Sequence, residues 1–156
     1  MLASSGTVDK LVLNQALENF TVNSNYKKSL DIKDFDVFFA KGLSLENGAS
    51  TITDFTAKLI ADGMNYTHGT VKPQMYKWLV CGGGRKNKTL IEKIKCKTPK
   101  NLIIQSIDDY GINGDYVESQ AFAYLATRSY LGLPITFPNT TGCNKPCTGG
   151  VLVKNF

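Results

Sequence analysis

A strand, a tight turn and a helix are encoded by Trp78-Leu-Val-Cys-Gly-Gly-Gly-Arg-Lys-Asn-Lys-Thr-Leu-Ile-Glu-Lys-Ile94, where an apolar run breaks at three glycines and then resumes with helical spacing. The three glycines allow a positive φ and leave the main chain open to a flat ligand. Asn87 suits the N-cap of the helix that follows, which presents one apolar face. This pattern predicts an α/β fold class.

A helix N-terminus beside a bare glycine turn offers free N–H donors and a positive dipole end, which favour nucleotides or other anions. The glycines match neither the G-x-G-x-x-G fingerprint nor the G-x-x-x-x-G-K-S/T phosphate loop. Many α/β proteins place glycines at such a turn for packing alone. The local pattern leaves ligand binding and packing as equal alternatives.

Bulk composition is that of one globular domain, since 42% of the 156 residues are hydrophobic and 20% are charged. No apolar run approaches the roughly 18 residues of a membrane-spanning helix. The first residues also lack the basic and apolar regions of a signal peptide. We therefore expect a cytoplasmic protein with no membrane partner.

The net charge of +5 raises the question of a nucleic-acid partner. The lysines are spread along the chain, however, with only a loose cluster between Lys86 and Lys100. No nucleic-acid-binding motif accompanies this cluster, and a solvated lysine-rich helix face explains it. We expect no nucleic-acid partner.

The cysteines are Cys81, Cys96, Cys143 and Cys147. Without a secretory signal, this even number does not predict a disulfide framework. Cys143 and Cys147 offer two thiolates with the spacing of metal ligands, but a structural zinc site needs four ligands. The single histidine, His68, is distant in sequence, so we expect no metal site within the chain.

Helical spacing of apolar residues predicts three amphipathic helices in the first part of the chain, over residues 8–20, 34–42 and 50–61. Gly42 is the expected C-cap of the second helix. A polar loop over 21–31 and a turn-rich connector over 65–73 join these elements, and His68 is expected to be a loop residue of the connector.

Pro99 ends the helix after the glycine turn, and Leu102-Ile-Ile-Gln105 follows as a second strand. Strand, helix and strand in this order predict a βαβ unit with parallel strands. A further helix is expected from about residue 117 to 131, and a last short strand over 149–154. The resulting division is a mainly helical segment, 1–64, and an α/β segment, 76–156.

Asp115 and Glu118 have the spacing of a capping box at the start of the later helix. A carboxylate beside a glycine loop at a helix start can instead accept hydrogen bonds from a polyhydroxyl ligand. The spacing favours the cap for Asp115 and leaves Glu118 open between the two roles.

The order of motifs along the chain resembles the anhydro-N-acetylmuramic acid kinases of bacterial cell-wall recycling. The motifs that carry this resemblance are Ala3-Ser-Ser-Gly-Thr-Val8, Lys28-Ser29, Leu45 to Ala57, Val80-Cys-Gly-Gly-Gly84 with Asn87, Gly111-Ile-Asn-Gly-Asp115 with Glu118, Ala121-Phe-Ala-Tyr-Leu-Ala126, Gly132-Leu-Pro134 and Thr141-Gly142. The two most specific are the Cys-Gly-Gly-Gly-x-x-Asn and Gly-Ile-x-Gly-Asp-x-x-Glu segments.

The resemblance implies the actin-like ATPase and sugar-kinase fold, which is ribonuclease H-like, with a parallel or mixed sheet and packed helices. It implies ATP and Mg²⁺ as cofactors, and hydrolytic opening of the 1,6-anhydro ring coupled to phosphorylation of O6, which yields N-acetylmuramic acid 6-phosphate and ADP. By the same resemblance, the nucleotide-binding residues are Gly82, Gly83, Gly84 and Asn87, and the sugar-binding residues are Glu118 and Asp115.

The resemblance covers only the C-terminal half of the family, because neither the family's phosphate-binding turn nor its catalytic aspartate base is found here. We expect a complementary N-terminal half to be the partner, and the chain alone to be inactive without it. Exposed apolar surface would also allow a homodimer. The alternative is a non-catalytic nucleotide-binding or interaction module, such as a degraded gene product.

Overall fold

The computed structural model describes residues 2–23, 35–69 and 76–153. These fall into two compact units, Met1–Ser106 and Ile107–Phe156. The helices are α1 (Leu2–Ser5), α2 (Lys10–Asn23), α3 (Leu45–Gly69), α4 (Lys88–Lys97), α5 (Val117–Tyr130) and α6 (Pro138–Thr141), and the strands are β1 (Tyr76–Val80) and β2 (Leu102–Ser106). Single 3₁₀ turns lie at Phe38–Ala40, Gly83–Lys86 and Ile107–Tyr110.

The sheet is a parallel pair in which Tyr76 is opposite Leu102 and Val80 is opposite Ser106. Helix α4 connects the two strands, so the prediction of a βαβ unit with parallel strands is confirmed. Pro99 follows the end of α4, as expected from its inability to continue a helix. In the part of the chain that the structure describes, each strand pairs on one side only.

One apolar cluster joins α2 to one face of α3. Phe20 of α2 meets Phe55 of α3 edge to face, with ring centroids 6.0 Å apart. Phe39, from the 3₁₀ turn, packs on the same Phe55 ring at 5.0 Å. Leu13, Ala16 and Leu59 complete this cluster.

A second cluster joins another face of α3 to the βαβ unit. Its buried members are Ala57 and Met64 of α3, Ile94 of α4, and Leu102 and Ile104 of β2. Because Ala57 has no exposed surface and a small side chain, it lets the neighbouring elements approach the α3 backbone closely. Helix α3 therefore contributes to both clusters of the first unit.

The loop between α1 and α2 is held against the start of α3. A Cβ atom on Gly6 would lie 2.0 Å from the carbonyl oxygen of Glu46, so only glycine fits at this position. The N–H of Thr7 donates to Asn47 Oδ1 at 2.8 Å, and the N–H of Asp9 donates to Thr51 Oγ1 at 3.0 Å. These contacts anchor the N-terminal segment to α3.

Two of the three predicted N-terminal helices are confirmed, and one is wrong. The helix expected over 8–20 is α2, and the one expected over 50–61 lies within the longer α3. Over 35–42 the structure has only a 3₁₀ turn, and from this segment Phe35 and Phe39 reach the α2–α3 cluster while Phe38 stays exposed. Gly42 closes that segment with φ 94°. The loop predicted over 21–31 is wrong over 21–23, where α2 continues to Asn23, and its other residues lie outside the described part of the chain.

The predicted connector over 65–73 is wrong where the structure describes it, since residues 65–69 continue α3 and His68 is helical. Asn65 links this last turn to α4 by donating a hydrogen bond to the carbonyl of Lys97 at 3.3 Å. The two residues are far apart in sequence, so the local spacing of apolar residues does not predict this contact. The last strand expected over 149–154 is also wrong. Residues 149–153 pair with no strand, and Val151 is 90% exposed.

A charge cluster connects α3 to α4 at the edge of the second apolar cluster. Asp54 accepts hydrogen bonds from Lys93 Nζ at 2.7 Å and pairs with Lys97 Nζ at 2.8 Å. Burial alone would raise the pKa of Asp54, but the hydrogen bonds and attraction from Lys93 and Lys97 outweigh it and hold this pKa below its ordinary value. The folded protein thus favours the Asp54 carboxylate.

We predict that Asp54→Asn lowers the free energy of unfolding by about 1–2 kcal/mol near neutral pH, because two half-buried lysines lose their anionic partner. A lowered folded-state pKa gives stabilisation that is present above the ordinary carboxyl pKa and is lost as the pH falls through the folded-state value. Urea titrations measure the free energy of unfolding of both proteins at several pH values. The difference between them should therefore shrink as the pH falls into the acid range.

The control is Asp62→Asn on the same helix. Asp62 pairs with Lys58 at 2.6 Å, but the two side chains are 30% and 41% exposed. An exposed pair of this kind contributes less than about 0.5 kcal/mol. Equal losses for the two variants would contradict a special role for Asp54.

Candidate functional site

The glycine turn joins β1 to α4 by a short, defined path. Gly82 has φ 74°, a conformation that glycine adopts without strain, and it begins the 3₁₀ turn Gly83–Lys86. The N–H of Asn87 closes the turn by donating to the carbonyl of Gly84 at 3.0 Å. The predicted positive φ is confirmed at Gly82 and is confined to it among the three glycines.

Asn87 is the N-cap of α4, as predicted. Its Oδ1 accepts a hydrogen bond from the N–H of Leu90 at 3.1 Å, and its carbonyl accepts one from Ile91 at 3.1 Å. These bonds satisfy one of the orphan donors of the first helical turn and start the helix at Lys88. Asn87 therefore has a structural role whether or not a ligand binds.

The turn presents a bare backbone surface. A Cβ atom added to Gly82 or Gly83 would have no neighbouring atom within 4 Å. Packing against the rest of the described chain therefore does not require glycine at these two positions, and an approaching ligand would meet main-chain atoms. Arg85, which the sequence reasoning missed, holds the turn by donating from Nη1 to the carbonyl of Gly82 at 2.8 Å.

A cavity of about 550 Å³ lies beside this turn, between the end of α3 and α4. Its lining is mainly apolar and includes Ile60, Met64, Gly84, Leu90 and Ile94. The consecutive residues 78–81 also line it. Trp78, Leu79 and Val80 belong to β1, so the cavity borders the last three residues of that strand, whose edge away from β2 pairs with no described strand.

In the second unit, an ordered loop leads into α5. Asp108 Oδ1 accepts a hydrogen bond from the N–H of Gly114 at 2.9 Å, which closes the loop across six residues. Asn113 Oδ1 accepts one from the N–H of Asp115 at 3.0 Å, an Asx turn that directs the chain into the helix. Neither role was predicted, although Asp and Asn beside glycines are typical of such turns.

The cap predicted for Asp115 is wrong. Helix α5 begins at Val117 with Tyr116 as its N-cap, and the Tyr116 side chain makes no cap hydrogen bond. The Asx turn at Asn113 delays the start of the helix, so Asp115 precedes the N-cap and Glu118 is the second helical residue. Both side chains are exposed, and Glu118 lies in the first turn, where the helix dipole favours an anion.

The sequence-predicted residues thus form two groups. Gly82, Gly83, Gly84 and Asn87 lie together in the first unit, and Asp115 and Glu118 lie together in the second. Among the described residues, no three His, Cys, Asp or Glu side chains are grouped as metal ligands, and no helix is long and apolar enough to cross a bilayer.

The sequence model of one family, described as anhydro-N-acetylmuramic acid kinase, matches residues 2–155. The chain belongs to the anhydro-N-acetylmuramic acid kinase family. The family resemblance drawn from the glycine turn and the Asp115–Glu118 segment is therefore confirmed.

Individual members of the family align along nearly the whole chain. The anhydro-N-acetylmuramic acid kinase of Pelagibacter ubique is 51% identical over 152 residues, which are 97% of this chain and 40% of that protein. The kinase of Rhizorhabdus wittichii is 42% identical over 96% of this chain and 39% of its own length. The kinase of Brucella canis is 38% identical over 97% of this chain and 40% of its own length. The chain spans about 40% of the length of these kinases.

We predict that Asn87→Ala destabilises the protein by about 1 kcal/mol, because it removes the acceptor for the first turn of α4. Asn87→Asp keeps the acceptor and should cost much less. Thermal unfolding followed by circular dichroism measures both variants. Equal losses for Ala and Asp would contradict the capping role.

Proposed function

We propose that this chain is the C-terminal domain of an anhydro-N-acetylmuramic acid kinase, spanning residues 1–156, with the actin-like, ribonuclease H-like fold of sugar kinases. The observation that carries the proposal is the family match over residues 2–155, which includes both candidate groups of site residues. The parallel βαβ unit with packed helices is compatible with this fold. The kinase would act in the cytoplasm, where ATP is available.

The glycine turn is proposed to bind the adenosine end of ATP. The space around Gly82 and Gly83 is open, so the flat ligand can lie on the main chain at the start of α4. Asn87 would fix the orientation of that helix start through its cap. Mg²⁺ is proposed to reach the site with the ATP phosphates, since the described residues form no group of metal ligands.

Glu118 and Asp115 are proposed to bind the sugar. Their carboxylates are exposed acceptors at the start of α5, the hydrogen-bonding type that a polyhydroxyl ligand requires. Asp108 and Asn113 order the loop that carries them, which limits the conformational entropy lost on binding.

The full reaction would open the 1,6-anhydro ring with water and transfer the γ-phosphoryl group to O6, giving N-acetylmuramic acid 6-phosphate and ADP. Such chemistry needs a general base for water and groups around the γ-phosphate. We propose that these come from the part of the full-length kinases that this chain does not span. The chain would contribute nucleotide and sugar binding.

The free edge of β1 is the proposed docking site for that complementary part. Parallel sheets are normally covered on both faces, and a two-stranded sheet is marginal by itself. Here an apolar cavity borders the last residues of β1, the edge of β1 away from β2 pairs with no described strand, and Leu79 is 44% exposed. An added β-strand would pair with the backbone of β1 and fill the cavity with its side chains.

The first test is ATP-dependent phosphorylation of anhydro-N-acetylmuramic acid by this chain, with and without the remaining part of the Pelagibacter ubique kinase. We expect activity only in the mixture. In that mixture, Glu118→Gln should lower kcat/KM by between about tenfold and a hundredfold, because a charged hydrogen bond to the sugar is lost. The exposed Glu92→Gln on α4 serves as the matched control.

Binding of ATP by the mixture without any turnover would overturn the kinase proposal. It would support the alternative, a non-catalytic nucleotide-binding or interaction module. Calorimetric titration with ATP separates that outcome from a failure to bind nucleotide at all.

The docking site is tested separately with Leu79→Lys, which places a charge in the cavity. We expect at least an approximately tenfold weaker association with the complementary part, because the lysine ammonium would have to be desolvated. Leu131→Lys, an exposed leucine of the second unit, should change the association little. If Leu79→Lys and the unaltered chain bind the complementary part with equal affinity, docking at β1 is contradicted. If the unaltered chain forms a homodimer that Leu79→Lys disrupts, the edge of β1 contacts a second copy of the chain instead.

A further inference from the structure

Two cysteines of the second unit are brought together by one threonine. Cys147 forms an antiparallel bridge with Thr136, in which the Cys147 N–H donates to the Thr136 carbonyl at 3.2 Å and the Thr136 N–H donates back at 3.3 Å. Thr136 Oγ1 also forms a hydrogen bond with Cys143 Sγ at 3.8 Å. Both cysteines are thus held against the same residue.

The chain between Thr136 and Cys143 turns back at a defined point. Helix α6 ends at Gly142, whose φ of 72° is a left-handed C-cap conformation. Thr141 Oγ1 is hydrogen-bonded to Thr136 Oγ1. After this reversal, Cys143 and Cys147 both lie beside Thr136, Cys143 through its thiol and Cys147 through its backbone.

The environment makes the two thiols unequal. Desolvation raises the pKa of Cys143, but hydrogen bonds from Thr141, Thr136 and Cys147 outweigh it and lower that pKa below its ordinary value. Desolvation raises the pKa of Cys147, and a charged Cys143 nearby raises it further. Deprotonation therefore begins at Cys143, which makes it the stronger attacking group at neutral pH.

We propose that Cys143 and Cys147 form a reversible dithiol–disulfide couple that reacts with low-molecular-weight disulfides such as oxidised glutathione. The Cys143 thiolate attacks one sulfur of oxidised glutathione, an S–S bond breaks, and one glutathione thiolate leaves. Cys147 then loses its proton and attacks the mixed disulfide at Cys143, which releases the second glutathione. The protein loses two electrons and two protons, and oxidised glutathione is reduced to two thiols.

The other two cysteines provide internal controls. Cys81 and Cys96 are both exposed and free, on the glycine turn and on α4. Neither has a second thiol as a hydrogen-bond partner among the described residues. Reaction with oxidised glutathione should leave them, at most, as mixed disulfides.

The test is incubation of the full reduced chain with oxidised glutathione, followed by tryptic mapping and mass spectrometry of the intact protein. We expect an intramolecular Cys143–Cys147 disulfide, formed about tenfold or more faster than glutathione adducts on Cys81 and Cys96. Reduced glutathione should reverse it. A series of glutathione redox buffers gives the reduction potential of the couple.

Single substitutions separate the role of Cys143, which attacks glutathione, from that of Cys147, which resolves the mixed disulfide. In Cys147→Ser, the Cys143 adduct should form at the wild-type rate and persist, because no thiol remains to resolve it. In Cys143→Ser, Cys147 should react more slowly than Cys143 does. Persistent glutathione adducts on both cysteines of the unaltered chain, or equal reaction rates at all four cysteines, would overturn the proposal.

Discussion

Burial of α3 on two sides is the constraint from which the first unit is built. One stripe of the helix carries Phe55 and Leu59 towards α2, and another carries Ala57 and Met64 towards α4 and β2. The second stripe also contains Asp54, a carboxylate that could not be buried without partners. Lys93 and Lys97 supply them, so the same charge cluster that satisfies Asp54 also sets where α4 lies on α3.

The position of the candidate nucleotide site follows from that docking. Helix α4 begins at the Asn87 cap, directly after the glycine turn, and its apolar face packs on α3 through Ile94. The turn is therefore held between a strand and a helix whose positions are both fixed by the core. With a rigid support of this kind, a ligand at the candidate site on Gly82 and Gly83 would not first have to order a loop.

The second unit differs from the first. Hydrogen bonds define its polar loop well, but much of its apolar surface is exposed. Asp108 and Asn113 close the loop before α5 through backbone N–H groups. Phe122 and Tyr124 of α5 are 65% and 61% exposed, and α5 has no buried residue. Exposed aromatic side chains of this kind are typical of surfaces that contact another protein.

Local chemistry was sufficient to predict the strand, glycine turn, Asn87 cap, α4 and β2 in order, because φ freedom, capping and apolar spacing act over a few residues. The family followed from short motifs along the whole chain, above all the glycine turn with Asn87 and the segment that carries Asp115 and Glu118. The 3₁₀ turn near Phe38, the extension of α3 through Asn65 and the displaced start of α5 at Val117 were not predictable in this way. Each of these depends on a contact or a turn that the local spacing of apolar residues does not encode. One favourable contact of that kind outweighs the small differences in helix propensity between neighbouring residues.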